Sequence, residues 1–273
     1  MKKMLVIGII FILIGGVFCG AAYAFGERYI SAELTDASVS FTAETITKIN
    51  ISEHVAEIKF IKSGSTGDIS VKAENILESE FKCELVNNTL KVSYNPSTIK
   101  LGFIVMPTSI FNWNNRSPVI NIYIPEGRSF DEIYFGGGVG RVAAEEINAK
   151  SLVLAGGVGE YNINNMNAGN LEIDGGVGSV KLNGTVNGDT KIDGGVGEIK
   201  ISGQLNGNIK LKTGVGSTKL DLTGNISDYN IKVDKGVGSI KLNGNKIEGT
   251  YQNNGKYNFD IDAGVGSIDI YIK

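Results

Sequence analysis

Histidine and tryptophan occur once each, cysteine twice and proline four times in 273 residues, and arginine is confined to Arg28, Arg116, Arg128 and Arg141. One histidine, His54, excludes a multi-histidine metal site. Of the cysteines, Cys19 lies inside an apolar run and Cys83 in the body, so the body can form no internal disulfide. Scarce proline is expected of a chain made of strands, which need their backbone N–H groups. A formal charge of −3 shows no basic or acidic bias, and nothing invites nucleic acid. No cofactor motif is present.

Glycine, at 37 residues, is abundant and ordered. Seven Gly-Val-Gly triplets centre on Val139, Val158, Val177, Val196, Val215, Val237 and Val265, spaced first by 19 residues, then by 22 and 28. Apolar residues fall six and four positions before each valine (Leu171 and Ile173, for example) and three and five after it (Val180 and Leu182), with only Thr190 and Thr218 breaking the pattern. A period of two is strand periodicity. Each unit reads as strand, glycine corner, strand, and so short a pair buries nothing alone; units must stack. The expected fold is all-β, a single-stranded parallel β-solenoid of the right-handed β-helix type. Its turns are expected about 4.8 Å apart.

The glycines flanking each valine are expected to be structural corners: Gly138, Gly140, Gly157, Gly159, Gly176, Gly178, Gly195, Gly197, Gly214, Gly216, Gly236, Gly238, Gly264 and Gly266. There the backbone needs φ > 0 or close approach to the next turn. The central valine is expected to point inward as a packing plug. Charged ladders mark the exterior: Lys181, Lys200, Lys219 and Lys241 sit four after the valine, and Asp174, Asp193, Asp234 and Asp262 three before it. Calcium-binding nonapeptide rolls need an aspartate two residues after the second glycine of their motif and a nine-residue period. This chain has neither, so no metal is expected.

Ahead of the array, Met4 to Ala24 is almost uninterruptedly apolar behind Lys2 and Lys3, long enough as a helix to cross a bilayer with the body outside. A single-pass anchor is favoured, with the body extracellular. Ala22-Tyr23-Ala24 keeps signal-peptide cleavage and secretion as the alternative. Three regions follow: 1–25, the anchor or signal; 26–130, an N-terminal β region; and 131–273, the solenoid. Within the second, Ile49, Ile51, Val55, Ile58 and Phe60 fit the repeat template with His54 and Ala56 in the glycine slots, a degenerate first turn. Ile69/Val71, Phe81/Cys83/Leu85, Leu90/Val92/Tyr94 and Ile120/Ile122/Ile124 read as further strands, with a turn at Asn87-Asn88. Leu101 to Trp113 fits no template; its Phe103, Met106, Phe111 and Trp113 form a candidate binding patch, or fold over the open end as a cap. Near the C-terminus, Asn254-Gly255 between Tyr251 and Tyr257 signals a hairpin that would shield the last turn.

The layout resembles a bacterial, mostly Gram-positive, family of cell-envelope proteins regarded as adhesins with β-strand repeats and formally of unknown function. The carriers are the Met1-Lys2-Lys3 leader with its apolar run, Ile46 to Tyr94, the strand end Ile122-Tyr123-Ile124-Pro125 and the Gly-Val-Gly turns. The resemblance implies an adhesin-like β-helical ectodomain and a link to envelope-stress signalling, and brings no catalytic residues. The expected role is therefore non-enzymatic. Partners of this reading are cell-wall polymer, a surface ligand or an envelope protein, the membrane through the N-terminal helix, and a second copy of the chain. A stress sensor acting through a membrane partner is the alternative. A polysaccharide-acting enzyme ranks last, because the carboxylates are spread in ladders and do not converge.

Overall fold

A computed structural model describes residues 34–273 except 65–66, 97, 102–103, 108–116, 235, 250 and 252–253. The apolar segment Met4 to Ala24 and Cys19 lie outside the described residues, as do Phe103, Phe111 and Trp113. Among the described residues the chain is all-β, broken only by short 3-10 turns, and no helix is long and apolar enough to cross a membrane.

The repeat flanks form two series of strands that pair in parallel, equivalent position to equivalent position. After the triplets come β10 (Val139–Ala144), β12 (Val158–Asp174), β13 (Val177–Val186), β15 (Val196–Leu205) and β17 (Val215–Leu222), with Val139, Val158, Val177, Val196 and Val215 directly in register. Before them come β9 (Phe130–Gly136), β11 (Ile147–Ala155), the second half of β12, β14 (Thr190–Asp193) and β16 (Ile209–Lys212), aligning Ile133, Leu152, Leu171, Thr190 and Ile209. One long strand, β2 (Lys48–Ser63), begins both series: Val55 stands opposite Val139 and Ile49 opposite Ile133.

Antiparallel strands close the N-terminal end. Here β4 (Phe81–Val86) and β5 (Thr89–Tyr94) turn through Asn87 and Asn88, both at positive φ (49° and 60°), the geometry of a tight hairpin that asparagine tolerates. β5 continues onto one half of β2, and β8 (Val119–Pro125) onto the other. β3 (Asp68–Ile76) and β1 (Thr35–Thr42) then add antiparallel outside β8. A separate hairpin pairs β6 (Thr98–Leu101) with β7 (Ile104–Pro107), so Met106 lies in a strand opposite Ile99.

At the C-terminal end, spatial order departs from sequence order. β17 pairs with β22 (Val265–Ile272), and β22 in turn with β19 (Val237–Leu242); likewise β16 pairs with β21 (Tyr257–Asp262), which pairs with β18 (Tyr229–Asp234). The last repeat is thus inserted between the fifth and the sixth. The polar columns favour this. In sequence order Lys219 would meet Lys241, and Lys210 would meet Lys232; the exchange sets Asp269 between the first pair and Asp260 between the second. Facing unlike charges in place of like ones contributes roughly 0.2–1 kcal/mol per pair.

The insertion also corrects the expected C-terminal hairpin. Tyr251 bridges Ile231, and Tyr257 opens a strand parallel to β18. The short β20 (Asn245–Lys246) pairs with the end of β19. These pieces cover parts of the outermost strands, while β22, the expected bare end, is paired on both sides.

Inside, the two flanks supply one core: Leu154, Ile173, Ile192 and Leu211 on one side face Ile163, Leu182, Ile201 and Leu220 on the other, all nearly inaccessible. Each such side chain stabilises by roughly 1.5–3 kcal/mol. The triplet valines do not join them. They are about half exposed, from 48% at Val139 to 72% at Val237, which overturns the inward plug. Strand parity is the cause. Each valine opens the second strand, whose inward positions are three and five residues on, so the valine itself shares the outward face.

The glycines around it answer two different demands. Gly178 has φ +143°, and a Cβ there would lie 1.9 Å from the Gly159 carbonyl oxygen; Gly195 needs no unusual φ, yet its Cβ would lie 1.9 Å from the Gly176 oxygen. A third corner is held by side chains. Asn170 Oδ1 accepts from Asp189 N, Asp189 Oδ1 from Asn208 N, and Asn208 Oδ1 from Asn258 N, each at 3.0 Å. This ladder follows the exchanged order, passing from Asn208 to the last repeat and only then towards Asn230.

Candidate functional site

Of the candidate patch, only Met106 lies among the described residues, on β7 of the separate hairpin. The site that can be built from described side chains is on the outer face of β14, β16, β21 and β18. Alternation sends Ile192, Leu211, Ile261 and Val233 into the core and so sends their neighbours outward. Two columns result: Lys191, Lys210, Asp260 and Lys232 in one, Asp193, Lys212, Asp262 and Asp234 in the other. Between these long side chains lies an open groove of about 360 Å³.

Charge in the groove is partly committed. Lys191 Nζ sits 2.6 Å from Glu172 Oε1, and that hydrogen bond and charge raise its pKa above the usual lysine value. Further along, Lys210, Lys212 and Lys232 form no ion pair among the described residues. The adjoining face of post-triplet strands is more internally paired, with Arg141–Glu160 at 3.1 Å, Lys181–Glu160 at 3.7 Å and Lys241–Asp269 at 3.9 Å. Such exposed pairs are each worth roughly 0–1 kcal/mol and leave their groups available.

A groove with ammonium and carboxylate groups at strand pitch offers repeated donors and acceptors to an extended ligand. It lacks the single sign that would select a polyanion. Among the described residues no group of three or more His, Cys, Asp or Glu side chains is placed to hold a metal ion. Another recess, about 50 Å³, runs under the glycine corners beside Tyr161, Val180 and Thr218. It has room for water rather than for a ligand.

The sequence pattern names Asp193, Asp234 and Asp262 of the second column but does not single out Lys210 or Lys232. Its template also leaves out Asn170, Asp189, Asn208, Asn230 and Asn258. All five stand seven positions before a triplet valine, so an Asn/Asp column at that offset was the available signal.

The architecture defines a repeat-built, all-β protein with a continuous, regularly patterned surface. The chain belongs to the Toastrack DUF4097 family, which matches residues 46–270. Among solved structures it is similar to a candidate cell adhesion protein from Clostridium sporogenes (21% identity, covering 88% of this chain and 100% of that one, TM-score 0.36). It is similar also to a candidate adhesin from Bacteroides fragilis (20%, 88% and 98%, TM-score 0.44) and a candidate lipid-binding protein from Parabacteroides distasonis (15%, 86% and 96%, TM-score 0.34). No curated protein matches significantly.

Proposed function

We propose that this chain is a membrane-tethered extracellular β-solenoid that binds a repetitive polymer or surface of the cell envelope, in the manner of an adhesin and without catalysing a reaction. The observation that supports it most is the groove of Lys210, Lys212, Lys232 and their aspartate neighbours, where Lys210 and Lys232 flank Asp260 in one column, Lys212 stands in the next, and none of the three forms an ion pair among the described residues. Rigid stacking fixes their spacing, so a ligand with a repeating set of polar groups meets several at once without ordering flexible loops. The tether in this reading is the apolar segment Met4 to Ala24, which meets the length requirement of a spanning helix.

The test is retention of the full-length chain in detergent by insoluble cell-wall material. Replacing Lys210, Lys212 and Lys232 together by serine is expected to lower retention about tenfold, the effect of losing about 1.4 kcal/mol. Unchanged retention by a folded triple variant overturns the groove as the contact. Co-purification with one stoichiometric membrane protein, and no wall binding, favours the sensor role instead.

A further inference from the structure

The outward turn of the triplet valines leaves a feature that the charged groove does not use. Among the described residues, the large apolar side chains left exposed are those seven valines and Tyr251. The valines are not scattered. Register places them in one unbroken line, in the spatial order that ends Val215, Val265, Val237. Glycine on either side keeps the shoulders low, so the line stands proud as a rail. Seven half-exposed valines amount to roughly 500 Å² of apolar surface, within the range of roughly 300–600 Å² for the largest patch on a typical monomer.

We propose that this rail is a self-association surface whose occupant is the rail of a second copy of the chain. Pitch is the first argument. Valines repeat at about 4.8 Å along the rail, and identical ladders of that spacing interdigitate side chain into gap to make a dry contact. A second copy has the same pitch by construction. Area is the second argument: two rails face to face bury on the order of 1,000 Å² in total, the lower bound for a specific interface, so the dimer is weak and concentration-dependent. Charge opposes the contact only weakly: of the shoulders two residues after each valine, Arg141 and Glu160 neutralise each other, Ser179, Ser217, Ser239 and Ser267 are uncharged, and Glu198 is the one charge without an ion-pair partner among the described residues. Internal ladder packing explains the buried half of each valine but leaves the exposed half without a role.

The experiment uses the full-length chain in detergent, with Cys19 and Cys83 replaced by serine and alanine. Val196→Cys, at the middle of the rail, is expected to give a covalent dimer with a short bis-maleimide cross-linker, since facing sheets lie about 10 Å apart, beyond the reach of a direct disulfide but within that of the linker. Lys200→Cys, on the same outward face but four residues along the strand and about 13 Å from the rail, is expected to give little. Sedimentation of the otherwise native chain is expected to show a monomer–dimer equilibrium whose dissociation constant rises about tenfold or more when all seven valines become threonine, which keeps shape and β-branching. Should that variant misfold, Val196→Lys alone must produce the same direction of change. The serine variant of the groove lysines should dimerise normally, which separates this proposal from the function proposed above. Equal cross-linking at Val196 and Lys200, a chain that stays monomeric at all concentrations, or threonine substitution that abolishes binding to phospholipid vesicles without altering sedimentation each overturns it.

Discussion

The first five triplet repeats and the last two obey the same apolar template yet assemble by different rules. From Val139 to Val215, each repeat lies on its predecessor and sequence order is spatial order. From Tyr229 onward the order inverts, and the final repeat enters between the fifth and the sixth. Apolar side chains cannot decide between these arrangements, because Leu220 packs as well on Ile270 as on Leu242. What differs is the outside. In the sequential region Lys181, Lys200 and Lys219 stack without interruption; in the exchanged region Asp269 and Asp260 each stand between two lysines, while Asp262 faces Asp234 in either order. The core sets that repeats stack, and the surface helps to set which repeat stacks on which.

The largest expected effect separates glycines inside the stack from one outside it. Gly178→Ala would thrust a methyl group 1.9 Å from the Gly159 oxygen at a φ of +143°. No nearby rotamer can yield, since the obstacle is backbone. A loss of about 4 kcal/mol or more is expected, in the exceptional range for one substitution. Gly244→Ala, in the turn between β19 and β20 at φ +81°, meets nothing within 4 Å. It should cost about 1 kcal/mol, from backbone strain alone. Chemical denaturation of both variants decides the matter, and equal midpoints would show that contact between repeats is not what the glycines serve.

An intermediate effect tests the charge account directly. Asp260→Lys with Asp269→Lys would return both columns to uninterrupted lysine across the exchanged repeats. Each reversal replaces favourable neighbours by repulsive ones, and the pair should destabilise by about 1–2 kcal/mol, less at 1 M salt where the Debye length is about 3 Å. Lys200→Asp brings the same alternation to the sequential region, between Lys181 and Lys219, and should raise stability by about 0.5 kcal/mol. Thermal midpoints at low and high salt measure both. A double variant as stable as the native chain, with unchanged salt dependence, would remove charge from the explanation of the exchange.

Much of this architecture was legible as periodicity. The flanks at −6, −4, +3 and +5 are the buried positions, with Tyr161 and Val180 at +3 only partly so, and the degenerate register of Val55 with Val139 was visible through its missing glycines. The valine was misassigned because a corner resets strand parity: counted from the strand before it, Val177 belongs inside, and counted from the strand it opens, outside. The inverted order was hidden because identical apolar templates are interchangeable. The information that distinguished them lay in Asp260 and Asp269, residues that look like ordinary solvated surface when read one at a time. The groove shared that fate. Lys210 and Lys232 become neighbours of one aspartate only after the exchange is known.

A single-site effect of modest size concerns a flaw on the sequential side. Thr190 occupies an inward slot between Leu171 and Ile209, it is 2% exposed, and its hydroxyl has no hydrogen-bond partner. The same slot in the exchanged repeats holds Phe259 and Ile231, both fully buried. An unsatisfied buried hydroxyl costs about 1–3 kcal/mol, and valine keeps the branched shape while removing the polar atom. Thr190→Val should therefore stabilise by about 1 kcal/mol and raise the thermal midpoint by about 2–4 °C. A lower midpoint would mean that the hydroxyl is satisfied in solution, for instance by water entering between repeats. The sequential stack would then be the looser of the two regions at that level, although its order is the simpler.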